Sequence, residues 1–392
     1  GAVDLGSADL SATNANVVLN IDTSTDGGYG NVDGGDVTFG TFSNSGGNYL
    51  GRLFVDTTGQ SGTNGNISGA AAGSILVDGD GTNAATSGVE LIGTLGLGFD
   101  LVIDTNQTDD GRDAGVVDLD QAIVGATAAG VDLTINTSTG GGGGDAANVT
   151  IGDVIDIDGA GVTYQVLQSL TVNTSSGAGT AGTLNLDDLS GGGTVDINVA
   201  NHVDFSNATT VVMGEDVSIT TTADGTDVNG AGGVDVDGVG TGNAATGDDG
   251  DVIFASDGTI NGAGYDLTID VENGANDGDI QLPNQIGNGG DLGILSLTSG
   301  SGFIVLGDGT AATQFDVDNA AGVGNDAISF GSIVVLTSDT TINTNGADFD
   351  SSNAFITSNA ADNWNLTINT TDGGAGADGD VNQGDIGDVD SA

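Results

Sequence analysis

The chain contains no cysteine, so no disulfide or thiolate can brace it or do chemistry in it. This neither proves nor excludes export. Lysine is also missing, and Arg52 and Arg112 are the only permanently cationic side chains against 56 acids, giving a formal net charge of -54. A surface this short of cations excludes recognition of a nucleic-acid backbone and attraction to an anionic membrane. No apolar run approaches the ~20 residues of a membrane-spanning helix, so membrane insertion is excluded as well. Proline occurs once, at Pro283, and aromatic residues make up 4% of the chain. A wide globular core filled with rings is therefore not expected; small branched side chains suit a thin core. No cationic, then apolar leader opens the sequence, which is read as a processed, mature chain starting at Gly1.

Glycine and aspartate fill the space left by these absences. There are 73 glycines, and all acids except Glu90, Glu215 and Glu272 are aspartates. Gly, Asp, Asn and Thr disfavour helix interiors and favour turns and strand ends, so long helices are excluded. Such a charge could keep a chain unfolded. Hydrophobic residues nevertheless reach 37% and recur as short alternating Val/Ile/Leu runs, the pattern of strands.

One stretch recurs. Asp132-Leu133-Thr134-Ile135-Asn136-Thr137 has near copies at Ser169–Thr174, Asp266–Val271 and Asn365–Thr370, and looser ones from Val18, Arg52, Asp100, Asp216, Ile294 and Asp339. In an extended chain Leu133 and Ile135 share one face, while Thr134 and Asn136 share the other. The first pair is expected to carry a core, and the second pair to be replaceable. The spacing is uneven, the shortest step running from Asp339 to Asn365 and the longest from Asp216 to Asp266. A strict repeat is thus ruled out in favour of a degenerate one with insertions. No six-residue strand is stable alone, so recurrence implies stacking. The sequence predicts an all-β, elongated β-solenoid, or β-helix. The alternative is a row of β-sandwich modules, for which the offsets are too short and uneven. We delimit an N-terminal extension at 1–15 that could serve as an intersubunit strand, a continuous repeat body at 16–381, and an acidic Gly/Asp tail at 382–392.

The Leu-Thr-Ile-Asn-Thr and Leu-Thr-Val-Asn-Thr strands between Gly/Asp-rich turns resemble secreted bacterial β-strand-repeat proteins, including filamentous-haemagglutinin-like and autotransporter-passenger β-helices. The resemblance covers most of the chain and is one of composition and period. It implies an extracellular, cell-surface protein of adhesion, matrix or coating, and it carries no catalytic residues across. From the residues themselves, the first unit, Val18–Ser24, matches the last, Asn365–Thr371. Similar ends without polar caps predict head-to-tail contacts between copies and hence a filament or sheath. A monomeric adhesin, or one module of a longer secreted protein, is the alternative.

Cation binding is the chemistry that the composition favours. Calcium takes six to eight oxygen ligands from Asp, Asn and carbonyls on glycine-permitted turns. The candidates are Asp78 with Asp80; Asp153 with Asp156 and Asp158; Asp235 with Asp237; Asp248, Asp249 and Asp251; and Asp378 with Asp380. None completes a known calcium motif, and the argument is collective, since stacked strands bring like charges within about 5 Å. An enzyme is not expected. His202 and Asp204 would share a strand face, but no nucleophile can be placed beside them. Sequons at Asn66, Asn106, Asn148, Asn207 and Asn365 permit a surface glycan without implying one.

Overall fold

A computed structural model describes the chain except for residues 7, 13–16, 26–32, 43–48, 61–62, 70–72, 79–87, 107–111, 142, 156–165, 189–192, 222–249, 273–276, 319–325, 359–363, 372–377 and 388–392. Among the described residues every regular element is a strand, and none is a helix. The chain forms two compact units, Gly1–Asn198 and Val199–Ala392.

In the N-terminal unit the strands fall into three parallel ladders. The first ladder joins Val3–Asp4, Val37–Phe39, Asn66–Gly69, residues 94–97 and Ala122–Ala126, in register through Val3, Val37, Ile67, Leu95 and Val124. The second pairs Asp9–Leu10 with Thr41–Phe42. Thr41–Phe42 lies beside Gly73–Leu76 without pairing with it, and the paired run begins there, through Gly73–Leu76, Leu101–Asp104, Asp132–Asn136 and Leu167–Asn173. The third stacks Leu19, Leu53, Val89, Val117, Val149 and Leu184. Along the chain the strands visit first, second and third ladder in turn, and then repeat.

The C-terminal unit follows the same plan, with three parallel ladders. One aligns Val203, Val252, Ile280, Ile304, Val334, Ile356 and Ile386. The next aligns Val211, Ile260, Ile286, Phe315, Ile342 and Ile368. The last aligns Val217, Leu267, Leu295, Ile328, Phe349 and Val381. We call these the a, b and c ladders, after their order along the chain.

The core is the set of inward side chains on these ladders. Leu133 and Ile135 lie between Leu101 and Ile103 on one side and Leu170 and Val172 on the other, all in register. Ile103, Ile135, Leu170 and Val172 are wholly buried. Removing such a side chain from water contributes about 1.5–3 kcal/mol. Aromatic rings enter sparingly, as edge-on pairs such as Phe205 with Phe254 and Phe330 with Phe349.

The sixth residue of the repeated stretch has a task that alternation does not reveal. Thr137 is fully buried, and its hydroxyl donates to the Ala147 carbonyl at 2.7 Å. Thr57, Thr105 and Thr174 donate in the same way to the carbonyls of Gly65, Gly115 and Gly182, as Thr344 and Thr370 do to Ala347 and Gly379. Each threonine ties the end of one strand to the backbone leading into the next. Asn136 is not a neutral outward residue either: its Oδ1 accepts the Ser138 N–H and hydroxyl at 3.2 and 2.6 Å, turning the chain at the strand end. The expectation that Asn136 is freely replaceable is thereby corrected. Replacing Thr137 by Val keeps the shape and strands the Ala147 carbonyl, at a cost of about 1–3 kcal/mol. The Thr137→Val chain is expected to melt several degrees lower in a thermal scan, and Thr137→Ser close to the unmodified chain.

Two sequence expectations take a different form. Residues 1–15, set apart as an extension, contain Val3–Asp4 and Asp9–Leu10, the opening strands of two ladders. Strands of two residues are too short to show alternation. From sequence Val89–Leu95 reads as one strand; in the fold it lies within Gly88–Leu97, of which residues 88–92 belong to the third ladder and 93–97 to the first. Gly93 makes the corner, with φ +127° and Thr57 Oγ1 only 2.0 Å from where a Cβ would sit, a place that suits glycine.

Candidate functional site: acidic ladders and open edges

Many aspartates open a strand and point at the strand that follows in the same ladder. Asp100 Oδ1 accepts the backbone N–H of Asp132 at 3.1 Å, and Asp113 that of Asp145 at 2.9 Å. In the C-terminal unit Asp216 accepts from Asp266, Asp251 from Asp279, Asp279 from Phe303, Asp339 from Asn365 and Asp348 from Asp380, all at 2.8–2.9 Å. A backbone N–H held by a carboxylate makes a stronger bond than a neutral pair. These carboxylates thus tie successive passes together while they repel one another. A second set, including Asp22, Asp56, Asp104, Asp204 and Asp350, accepts the N–H two residues on; Asp22, Asp56 and Asp104 end their strands there.

The cation candidates divide accordingly. Asp153 accepts the Asp196 N–H at 3.0 Å and lines a surface groove with Thr58, Gln121 and Asp188. Asp251 is buried and holds Asp279 as described. The N–H of Asp78 bonds to the Leu50 carbonyl, Asp378 is exposed, and Asp380 is held by Asp348. Asp80, Asp156, Asp158, Asp235, Asp237, Asp248 and Asp249 lie outside the described residues. Among the described residues, no three His, Asp or Glu side chains converge closely enough to hold a metal ion. Asp204, on the strand of His202, accepts from Ser206. Of the sequon asparagines, Asn148 and Asn207 are exposed, and the Asn148 carboxamide oxygen accepts the Thr183 N–H at 2.9 Å.

Burial, with repulsion from neighbouring carboxylates second, raises the pKa of several crowded acids. Burial, then the nearby Asp118 and Asp187, push the Asp120 carboxyl up to about 6. Burial and Asp216 raise Asp266, and burial with Asp316 and Asp318 raises Asp291. Asp308 goes the other way: burial pushes it up, but hydrogen bonds from Thr310, Asn284 and Ala311 outweigh burial and bring it to about 2. A carboxyl with a raised folded-state pKa binds its proton more tightly when folded, so it favours folding increasingly as pH falls through that value. For Asp120 the window lies between about 6 and the ordinary value of 3.8. Melting temperature is expected to rise as pH is lowered from 7 to 5, and Asp120→Asn to flatten part of the rise. A melting temperature that falls over this range contradicts the assignment.

The outer strands of each unit are the other notable surface. In the C-terminal unit, Leu366–Asn369 and Val381–Ile386 each carry a strand on one side only among the described residues. Leu366 and Ile368 are half-buried where Ile342 beneath is closed off; Val381 is 48% and Ile386 63% exposed. In the N-terminal unit, Val3–Asp4, Asp9–Leu10 and Val17–Asp22 are the first strands of their ladders, each paired on one side only among the described residues. There Val3, Leu10 and Leu19 are half-buried, whereas Val37, Phe42 and Leu53 on the next pass are buried. An outer parallel strand offers unsatisfied N–H and carbonyl groups, and both edges also leave apolar side chains half bare. The likeness of Val18–Ser24 to Asn365–Thr371 is legible in the sequence, and the tail at 384–389 reads there as a strand that could add to a neighbour's edge; the exposure of Val381 and Ile386 is seen only in the fold.

No protein-family model, curated protein or solved structure matches the chain.

Proposed function

We propose that the chain is a β-solenoid structural subunit of an extracellular filament or sheath, polymerising head-to-tail, with no catalytic role. One observation carries the reading: the outermost strands of the two units repeat the same Leu-x-Ile-(Asp/Asn)-Thr pattern and leave Leu19, Leu366 and Ile368 half exposed, with Ile21 alone of the four already buried. Three ladders visited in fixed order in each unit support the solenoid, since each pass buries its inward face only against its neighbours. The likeness to secreted bacterial β-strand-repeat proteins and the cation-poor composition support an extracellular setting. Sedimentation velocity over a range of concentrations tests the polymer: growing, polydisperse species support it, and one concentration-independent monomer overturns it.

Divalent cations, calcium foremost, belong to this reading as counterions for a charge of -54. Chelator is expected to lower the melting temperature and loosen assemblies, and calcium to restore both. Unchanged melting and assembly with and without chelator remove cations from the proposal.

The second reading is a monomeric adhesin or a module of a longer secreted protein. The same half-bare edges favour it, because further passes of a longer chain would cover them equally well. A 392-residue chain that stays monomeric but joins end to end when two copies are fused supports this second reading.

A further inference from the structure

Resting on the filament reading, we infer that one copy seats its first three strands on the last three strands of another in a single defined phase and register. Val3 lies on Val381, Leu10 on Ile386, Leu19 on Leu366 and Ile21 on Ile368.

Phase follows from order. In the C-terminal unit the last strands are Leu366–Asn369 in the b ladder, residues 381–383 in c and residues 385–386 in a. The N-terminal unit opens with Val3–Asp4, Asp9–Leu10 and Val17–Asp22. Consecutive strands can cover three ladders in only three cyclic phases. Only one of them sets Val17–Asp22, with its Leu19, Ile21 and following Thr23, on Leu366–Asn369, with its Leu366, Ile368 and following Thr370. That phase sends Val3–Asp4 to residues 381–383 and Asp9–Leu10 to 385–386. It thereby covers Val381 and Ile386, two of the most exposed large apolar side chains of the described residues.

Polarity agrees. Every ladder is parallel and adds later strands on one side, so the open edge at Leu366 faces onward while the open edge at Leu19 faces back. Register is set by the acidic and amide tethers. Asn365 occupies the place from which Asn148 accepts the N–H of Thr183 on the next pass. Asp380, held by Asp348, occupies the corresponding place before residues 381–383. In the docked pair these accept the N–H groups of Val18 and Ala2. The half-buried Leu19 and Ile368 then become interior, as Leu53 and Ile342 already are.

Because the chain lacks cysteine, engineered thiols report the contact directly. Asn20 and Thr367 both point outward and are exposed, and the proposed register sets them side by side. In-register neighbours stand about 4.8 Å apart, within the span of a disulfide. Mild oxidation of the N20C/T367C chain is expected to give a ladder of covalent dimers, trimers and longer species on a non-reducing gel. N20C or T367C alone should stop at dimers. The shifted pair D22C/T367C should give at least tenfold less linkage. Filaments of the unmodified chain, imaged in parallel, separate the two levels. Filaments present with N20C/T367C unlinked, or with the shifted pair linked better, overturn the register and leave the filament reading standing. Absence of both filaments and links overturns both.

Discussion

Replacing Ile135 by aspartate is expected to abolish cooperative folding of the N-terminal unit. Ile135 is wholly buried, in register with Ile103 and Val172 on the strands either side. The substitution forfeits about 1.5–3 kcal/mol of burial and adds several kcal/mol for a carboxylate with no partner in the core. Domains of this size are stable by about 5–15 kcal/mol in all. In a stacked fold each pass leans on its neighbours, so a break at one rung also removes support from the passes beside it. Circular dichroism should show the lost transition, and limited proteolysis should cut within residues 100–173. Thr134→Asp, one residue away on the outward face, serves as the control and should shift stability by less than about 1 kcal/mol. An Ile135→Asp chain that melts within a few degrees of the unmodified one contradicts the core assignment.

The double substitution Leu366→Asp with Ile368→Asp is expected to eliminate assembly while leaving the subunit folded. Both side chains are half-buried in the isolated chain, so their loss costs the subunit little. At a docked edge they would be closed off, and two carboxylates there would face the apolar Leu19 and Ile21 of another copy. Losing that burial costs about 3 kcal/mol or more, which raises the concentration needed for assembly by at least about a hundredfold. Size-exclusion chromatography should show monomer at concentrations where the unmodified chain elongates, with an unchanged circular dichroism spectrum. Filaments appearing at the same concentration contradict the edge.

The strand face was legible in the sequence because its signal is local. Leu133 and Ile135 alternate with Thr134 and Asn136, and the structure buries the first pair. What stayed hidden depends on register between strands far apart in sequence. Alternation puts Thr137 on the face of Leu133 and Ile135, but it does not reveal that its hydroxyl seals a corner through Ala147, ten residues on. The aspartates read as cation ligands; for Asp153 and Asp251 the structure assigns a backbone N–H on the next pass, and nothing within either local stretch names that partner. The splitting of Gly88–Leu97 between two ladders turns on the φ of Gly93, one glycine among 73. The likeness of Val18–Ser24 to Asn365–Thr371 was plain from the residues, whereas the exposure of Val381 and Ile386 beside it needed the fold.

Electron microscopy of the purified, unmodified chain tests the central claim most directly. The account predicts unbranched filaments that lengthen as concentration rises and disappear in the Leu366→Asp, Ile368→Asp chain. Uniform single particles at every concentration, with calcium and without it, would contradict it.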